Sequence, residues 1–216
     1  MASDRCRFSH NQYVYTLGES MPCTLLDPRT TPAMPWKNGG GSTLQLAIAP
    51  DGASLEDFAW RISSAQVAVD GAFSSFPGID RSLALLTGNG LHLQRSDGRI
   101  ETLHGTGAIA VFGGEETISA YLTDGPVTDL NLMTRRGAWQ HELQLLRLQG
   151  ERMLENDAEA MLLWNVDGQA MHCQLPGGDV QHLAPHQGIL LENEQGHVGI
   201  MSGQPSLLYV GWLRKG

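Results

Sequence analysis

The chain has 216 residues, 41% hydrophobic and only 17% charged, which suits one sizeable core or two small fused ones and argues against disorder. A formal charge of −9 excludes the basic patches that hold nucleic acid or an anionic membrane surface, so neither is an expected partner. With 26 Gly and 10 Pro spread along the sequence, short segments joined by tight turns are expected rather than long helical bundles.

In chain order, Met1 to Ser20 is mixed and polar, without the apolar run of a secretory signal. Met21-Pro22 offers an alternative start, which would make residues 1–20 an N-terminal extension. Cys6, Cys23 and Cys173 have no CxxC spacing and are odd in number, the pattern of ordinary reduced thiols in a cytoplasmic protein. No stretch approaches the ~20 apolar residues of a membrane helix.

From Ser42 the sequence reads as strand after strand. Leu44, Leu46 and Ile48 alternate with Thr43, Gln45 and Ala47, the period-two pattern of a half-buried strand. In Phe58 to Val67, Phe58, Trp60 and Ile62 point one way while Arg61 and Ser63 point the other. Leu83 to Thr87, Leu91 to Gln94, Ile100 to Leu103 and Ala108 to Phe112 follow, punctuated by Gly88-Asn89-Gly90 and Asp97-Gly98 as hairpin turns. A second β-rich half runs through Leu143 to Leu148, Met161 to Val166, Ala170 to Leu175, Gly188 to Glu192, Val198 to Met201 and Leu207 to Trp212. Glu151 to Ala160 is the best short-helix candidate. Strands at this spacing predict an all-β sandwich or barrel with little helix, and no βαβ alternation is present.

Four segments carry candidate chemistry. In Pro35-Trp36-Lys37-Asn38-Gly39-Gly40-Gly41-Ser42-Thr43, a cation, an amide and an indole adjoin three glycines. Such a loop holds a carboxylate, or else forms a tight corner capped by a buried Trp. It is not a phosphate loop, because Lys37 precedes the glycines instead of following them. In Trp60-Arg61-Ile62-Ser63, the mid-strand Arg faces either solvent or a polar barrel interior. Inside, it would need a partner such as a ligand carboxylate, since an unpaired buried cation is costly. The third segment is the run from Gly71 to Gly88. The fourth runs from Leu122 to Arg136, where Asp129, Asn131 and Arg135 lie on a connection too polar to be simple core. Asp129 there either pairs with Arg135 or Arg136, or contacts a ligand.

Together the PWKNGGG-S-T loop, the WR-I-S strand, the FS-FPG-DR-L-LL-G run and the GPV-DLNLM-RR segment resemble the HutD/Ves family of bacterial proteins. The four motifs stand in the family's order between Met34 and Arg136. The resemblance implies a bicupin: two RmlC-like jelly-roll barrels in one chain, here residues 21–136 and 137–216, with strands exchanged between them. It also implies a link to histidine catabolism through binding of an intermediate such as formylglutamate or urocanate, without a settled enzymatic activity.

A metal cupin presents His-x-His, then Glu, then a later His. If Gly71 to Gly88 takes that motif's place, Ser74 and Phe76 stand where histidines would, and Arg81 stands near the Glu position. Arg offers no lone pair to a metal, so this barrel is suited to anions, and no metal or cofactor is expected. His172, His182 and His186 form only a loose cluster without HxH or HExxH spacing, and no nucleophile elbow is present. The expected site comprises Trp36, Lys37, Asn38, Arg61, Ser63, Ser74, Phe76, Arg81, Asp129 and Asn131 around a small anionic metabolite. The chain is expected to act as a regulator or sensor, with a homodimer as a further expectation. The alternative is a metal-independent isomerase or hydrolase, with Asp129 as base and Lys37 or Arg61 as electrophile.

Overall fold

Period-two alternation between apolar and polar side chains makes extended segments that must find backbone partners, and here they find them in three antiparallel sheets. The structure, a computed structural model, describes residues 23–36 and 39–216. Its strands are β1 Cys23–Leu26, β2 Ala33–Pro35, β3 Gly41–Ala49, β4 Trp60–Val67, β5 Gly71–Ala72, β6 Ile79–Thr87, β7 Leu91–Arg95, β8 Ile100–Leu103 and β9 Ile109–Gly113. There follow β10 Ile118–Leu122, β11 Val127–Arg135, β12 Trp139–Asn156, β13 Ala160–Asp167, β14 Met171–Gln174, β15 Val180–Leu183, β16 Gly188–Glu192 and β17 Gly196–Lys215. Among the described residues there is no helix, and hence none long and apolar enough to cross a membrane.

The chain divides into two compact units. Among the described residues, the first holds those of Leu26–Leu145 and Leu213–Gly216; the second holds Leu146–Trp212 and Cys23 to Leu25. In the first, a six-stranded sheet (β2-β3-β4-β11-β6-β9) and a four-stranded sheet (β5-β10-β7-β8) share one apolar core. Val67, Leu83, Leu85, Ala110, Phe112 and Val127 come from the larger sheet, and Leu91, Leu93, Leu103, Ile118 and Ala120 from the smaller. The Asp97-Gly98 turn closes β7 on β8 as expected: Gly98 has φ 86°, and its amide donates to the Arg95 carbonyl at 2.9 Å.

The second unit is a sheet in the order β1-β16-β13-β17-β14-β15, with β12 also paired to β17. Its apolar core runs from Met161, Leu163 and Met171 to Leu208 and Val210, and the unit also buries Asn156, Asn165, Gln187, Ser202 and Ser206. Cys23 and Cys173 are buried in that core, and burial pushes the Cys173 thiol up to about 12. Cys6 lies outside the described residues.

Two sequence expectations are corrected. Glu151 to Ala160 is not helical: β12 runs through Asn156, with Leu154 and Asn156 buried and Met153 and Glu155 exposed. Pairing with β17 supplies backbone partners that outweigh a helix propensity of a few tenths of a kcal/mol per residue. The polar segment before Arg136 is not a connection either. Val127 to Arg135 is β11, a central strand held between β4 and β6 and buried on both faces. Its polarity misled because the face that looks into the barrel is itself polar.

Candidate binding site in the first unit

Strand register decides which side chains share the barrel interior. Val67 and Val127 belong to the core between the two sheets, so by alternation Ala65, Ser63 and Arg61 of β4 face inward with Asp129, Asn131 and Met133 of β11. Residues directly opposite form rows across the sheet. Thr43, Ala65, Asp129 and Leu85 make one, Gln45, Ser63, Asn131, Leu83 and Ala110 the next, and Ile48, Arg61, Met133, Arg81 and Phe112 the third. The interior therefore turns from aliphatic to polar to cationic along the strands.

Arg61 is 5% exposed and points inward, so the solvent-facing alternative does not hold. Its Nε donates to Gln45 Oε1 at 3.2 Å and its Nη1 points at Met133 Sδ at 3.9 Å. Arg81 is 7% exposed, donating from Nη2 to Asn131 Oδ1 at 2.9 Å and from Nη1 to the Ser74 carbonyl at 3.3 Å. Its guanidinium carbon lies 4.9 Å from the Phe112 ring centroid, 5.5 Å from Phe76 and 5.6 Å from Phe73. Aromatic faces hold a cation this way at a fraction of the cost of a bare apolar wall. The Arg81 Nε–H is buried with no hydrogen-bond partner.

Among the described residues, no carboxylate lies within ion-pair distance of either guanidinium. Burial lowers the pKa of both. Arg81 falls to about 10, with Asp129 opposing the drop and the Arg61 charge adding to it. Asp129 is 1% exposed and accepts from Asn131 Nδ2 at 2.6 Å. Burial pushes its carboxyl up to about 7, against the pull of Arg81, the Ala65 backbone and Asn131. With two cations against one carboxyl that titrates near neutrality, the cluster carries a net positive charge.

The ion-pair reading of Asp129 is overturned: Arg135 donates to the Phe58 and Glu56 carbonyls, and Arg136 binds Asp80 and Glu115. Trp36 packs partly buried against the apolar core and donates from Nε1 to Thr43 Oγ1 at 2.8 Å, on the same inward-facing row as Asp129. The chain doubles back tightly here, because Trp36 N–H donates to the Gly41 carbonyl. A Cβ on Gly41 would land on the Gln66 carbonyl oxygen and press the Trp36 ring at 3.0 Å. Lys37 and Asn38 lie outside the described residues. Ser74 is exposed and meets Arg81 through its backbone, while Phe76 stacks on Arg81 and packs edge-on to Phe58.

Sequence reasoning missed Gln45, Phe73, Phe112 and Met133. Gln45 and Met133 were in plain alternation, but only the register shows that they flank Arg61. No three His, Cys, Asp or Glu side chains converge among the described residues.

The HutD family model matches residues 29–208, most of the chain. The chain belongs to the HutD family. It is 31% identical over 176 residues to an uncharacterised 21.2 kDa protein in the hutC 3′ region of Pseudomonas putida, covering 82% of this chain and 90% of that one. Over 110 residues it is 38% identical to protein Ves of Escherichia fergusonii, spanning 50% of this chain and 56% of Ves. Among solved structures it is similar to a conserved protein of unknown function from Pseudomonas aeruginosa PAO1, at TM-score 0.82 and 30% identity over 89% of this chain and 98% of the other. HutD from Pseudomonas fluorescens SBW25, solved in a formate condition, matches at TM-score 0.77 and 25% identity over 90% of this chain and 99% of that one. Likeness to protein YlbA of Escherichia coli, at TM-score 0.69 and 10% identity over 94% of each chain, concerns the fold alone. The fold is the all-β cupin fold of these neighbours.

Proposed function

We propose that the first unit binds a small carboxylate-bearing metabolite on the inward face of β4, β11 and β6, and that the protein acts as a sensor or regulator of histidine catabolism. The observation that carries this reading is a pair of buried arginines on one register row, with no carboxylate partner and with the Arg81 Nε–H unmet. A buried cation left unpaired is expensive, and a ligand carboxylate, held bidentately, relieves that cost. Charge-assisted bonds of about 1.5–3 kcal/mol from each arginine sum to about 3–6 kcal/mol. Micromolar affinity needs about 8 kcal/mol, so packing against apolar walls such as Phe76 and Trp36 supplies the remainder. The HutD resemblance implies a role in histidine catabolism, which makes formylglutamate and urocanate the first ligands to try.

Calorimetric titration with formylglutamate, urocanate and glutamate tests it. Binding of at least one in the micromolar range, weakened roughly ten- to hundredfold by Arg81→Met, is expected; no heat from any of the three at millimolar concentration overturns the ligand assignment. A second reading, a metal-independent isomerase or hydrolase, is favoured by one feature, a buried Asp129 that titrates near 7 beside two cations. Conversion of a bound acid, followed by NMR and lost in Asp129→Asn, would establish it.

A further inference from the structure

The outward face of the second unit holds a second cluster of chemistry-bearing side chains that the anion site does not use. On β14, β15 and β17 the inward residues Met171, Cys173, Leu183 and Ile200 are buried in the core, so their neighbours in sequence face out. Register then sets three donors side by side: His182 of β15 opposite His172 of β14, and His172 opposite Met201 of β17. All three are exposed, Met201 by 51%. The two imidazole rings already stand edge to face, with centroids 4.3 Å apart and planes at 63°. With metal–nitrogen bonds of about 2.0 Å, one ion holding two imidazoles at a right angle sets their centroids about 4.5 Å apart, and at the tetrahedral angle about 5.2 Å. The observed spacing is short enough for one ion to reach a nitrogen of each ring, and among the divalent ions that imidazole suits, Cu(II) binds most tightly.

We propose that His172 and His182 chelate a copper ion on this face, as Cu(II) through the two imidazoles. Met201, next in the row, adds a thioether when the ion is Cu(I). The antiparallel pairing of β14 with β15 sets both histidines side by side in advance, so only side-chain ordering opposes binding. Imidazole suits copper, zinc and nickel, whereas the thioether is a soft donor that selects Cu(I). The site is independent of the anion pocket: it lies in the other unit and shares no residue with it.

The test uses the full chain and Cu(II) in competition with a chromophoric chelator. One equivalent should bind, and His172→Gln and His182→Gln should each weaken it at least roughly tenfold. In a Cu(I) competition assay, Met201→Leu should lower affinity while leaving the Cu(II) result unchanged. Because all three residues are exposed, the variants should fold, which circular dichroism checks. Equal Cu(II) affinity in the wild type and both histidine variants would overturn the site, whatever other groups bind the ion. An unaltered Cu(I) affinity in Met201→Leu would remove the thioether from it.

Discussion

The interiors of the two units are built from the same kind of strand and filled to different ends. In the second unit every inward position named in the core, from Met161 and Leu163 to Ile200 and Val210, is apolar. In the first, the apolar core at one end gives way to Asp129, Asn131, Arg61 and Arg81 along the same strands. A sheet can keep such a cationic interior only if the apolar end supplies the folding free energy and the polar end satisfies most of its own hydrogen bonds. Asn131 does much of the satisfying, accepting from Arg81 while donating to Asp129. Both units bury polar groups, Asn165 and the Trp164 indole among them in the second, but among the described residues only the first buries charged side chains, which suits it to an anion.

The largest expected effect falls in the second unit. Leu163→Ala, at a fully buried position of the second core, should cost about 2–5 kcal/mol in urea unfolding. By contrast, Arg81→Met in the first unit removes a buried charge that has no ion-pair partner, so stability should hold or rise. Its effect belongs to binding: losing about 1.5–3 kcal/mol raises Kd roughly ten- to hundredfold for whichever acid the calorimeter detects. A large stability loss with unaltered affinity would make Arg81 structural and level the contrast between the two interiors.

A third, smaller effect concerns His141, whose Nδ1 meets Thr134 Oγ1 at 2.7 Å and Nε2 meets Ser82 Oγ at 2.9 Å. Burial pulls its pKa down to about 4, with Asp80 opposing. Above pH 6.5 both folded and unfolded chains hold a neutral ring, and nothing is lost. As pH falls from 6.5 towards 4 the unfolded chain takes the proton first, so stability drops, by on the order of 2–3 kcal/mol at the acid end. His141→Gln should flatten that part of the profile in urea titrations at pH 7 and 4.5. An unchanged slope in the variant would mean that other groups set the acid limit.

Alternation with Trp60 and Ile62 put Arg61 on the face opposite the large apolar residues but left open whether that face met solvent or a polar interior; burial and register decide for the interior. The four motifs supplied Arg81, Asp129 and Asn131. What could not be read was pairing across long separations. The Arg81–Asn131 bond joins residues 50 apart and the Arg61–Met133 contact residues 72 apart, so the partners of each cation depended on register. The same ignorance made β11 look like a connection, because polarity in a central strand makes sense only once its neighbours are known. The histidine row was visible as a loose cluster, but its exposure and the in-register methionine were not.

The last expected effect, comparable in size to that of His141, is also the sharpest probe of the polar interior. Asp129 is buried and titrates near 7, so its folded pKa lies above that of the unfolded chain. Above pH 7 the folded state carries a buried negative charge at a cost, and as pH falls from 7 towards 4 the folded chain takes up the proton first and gains stability. This trend opposes that of His141 over the same range, so wild-type stability should vary with pH less than either group alone would dictate. Asp129→Asn keeps an oxygen to accept from Asn131 and removes the charge, which should raise stability at pH 8 by on the order of 2–3 kcal/mol and leave it nearly unchanged at pH 5. Binding responds in the same direction: a ligand carboxylate beside Arg81 is repelled by ionised Asp129. Wild-type affinity for an acid whose carboxyls stay ionised should thus rise several-fold between pH 8 and pH 6, while the variant's stays flat. If both proteins show one pH profile, Asp129 does not sense the ligand, and the anion lies elsewhere along the Arg61–Arg81 row.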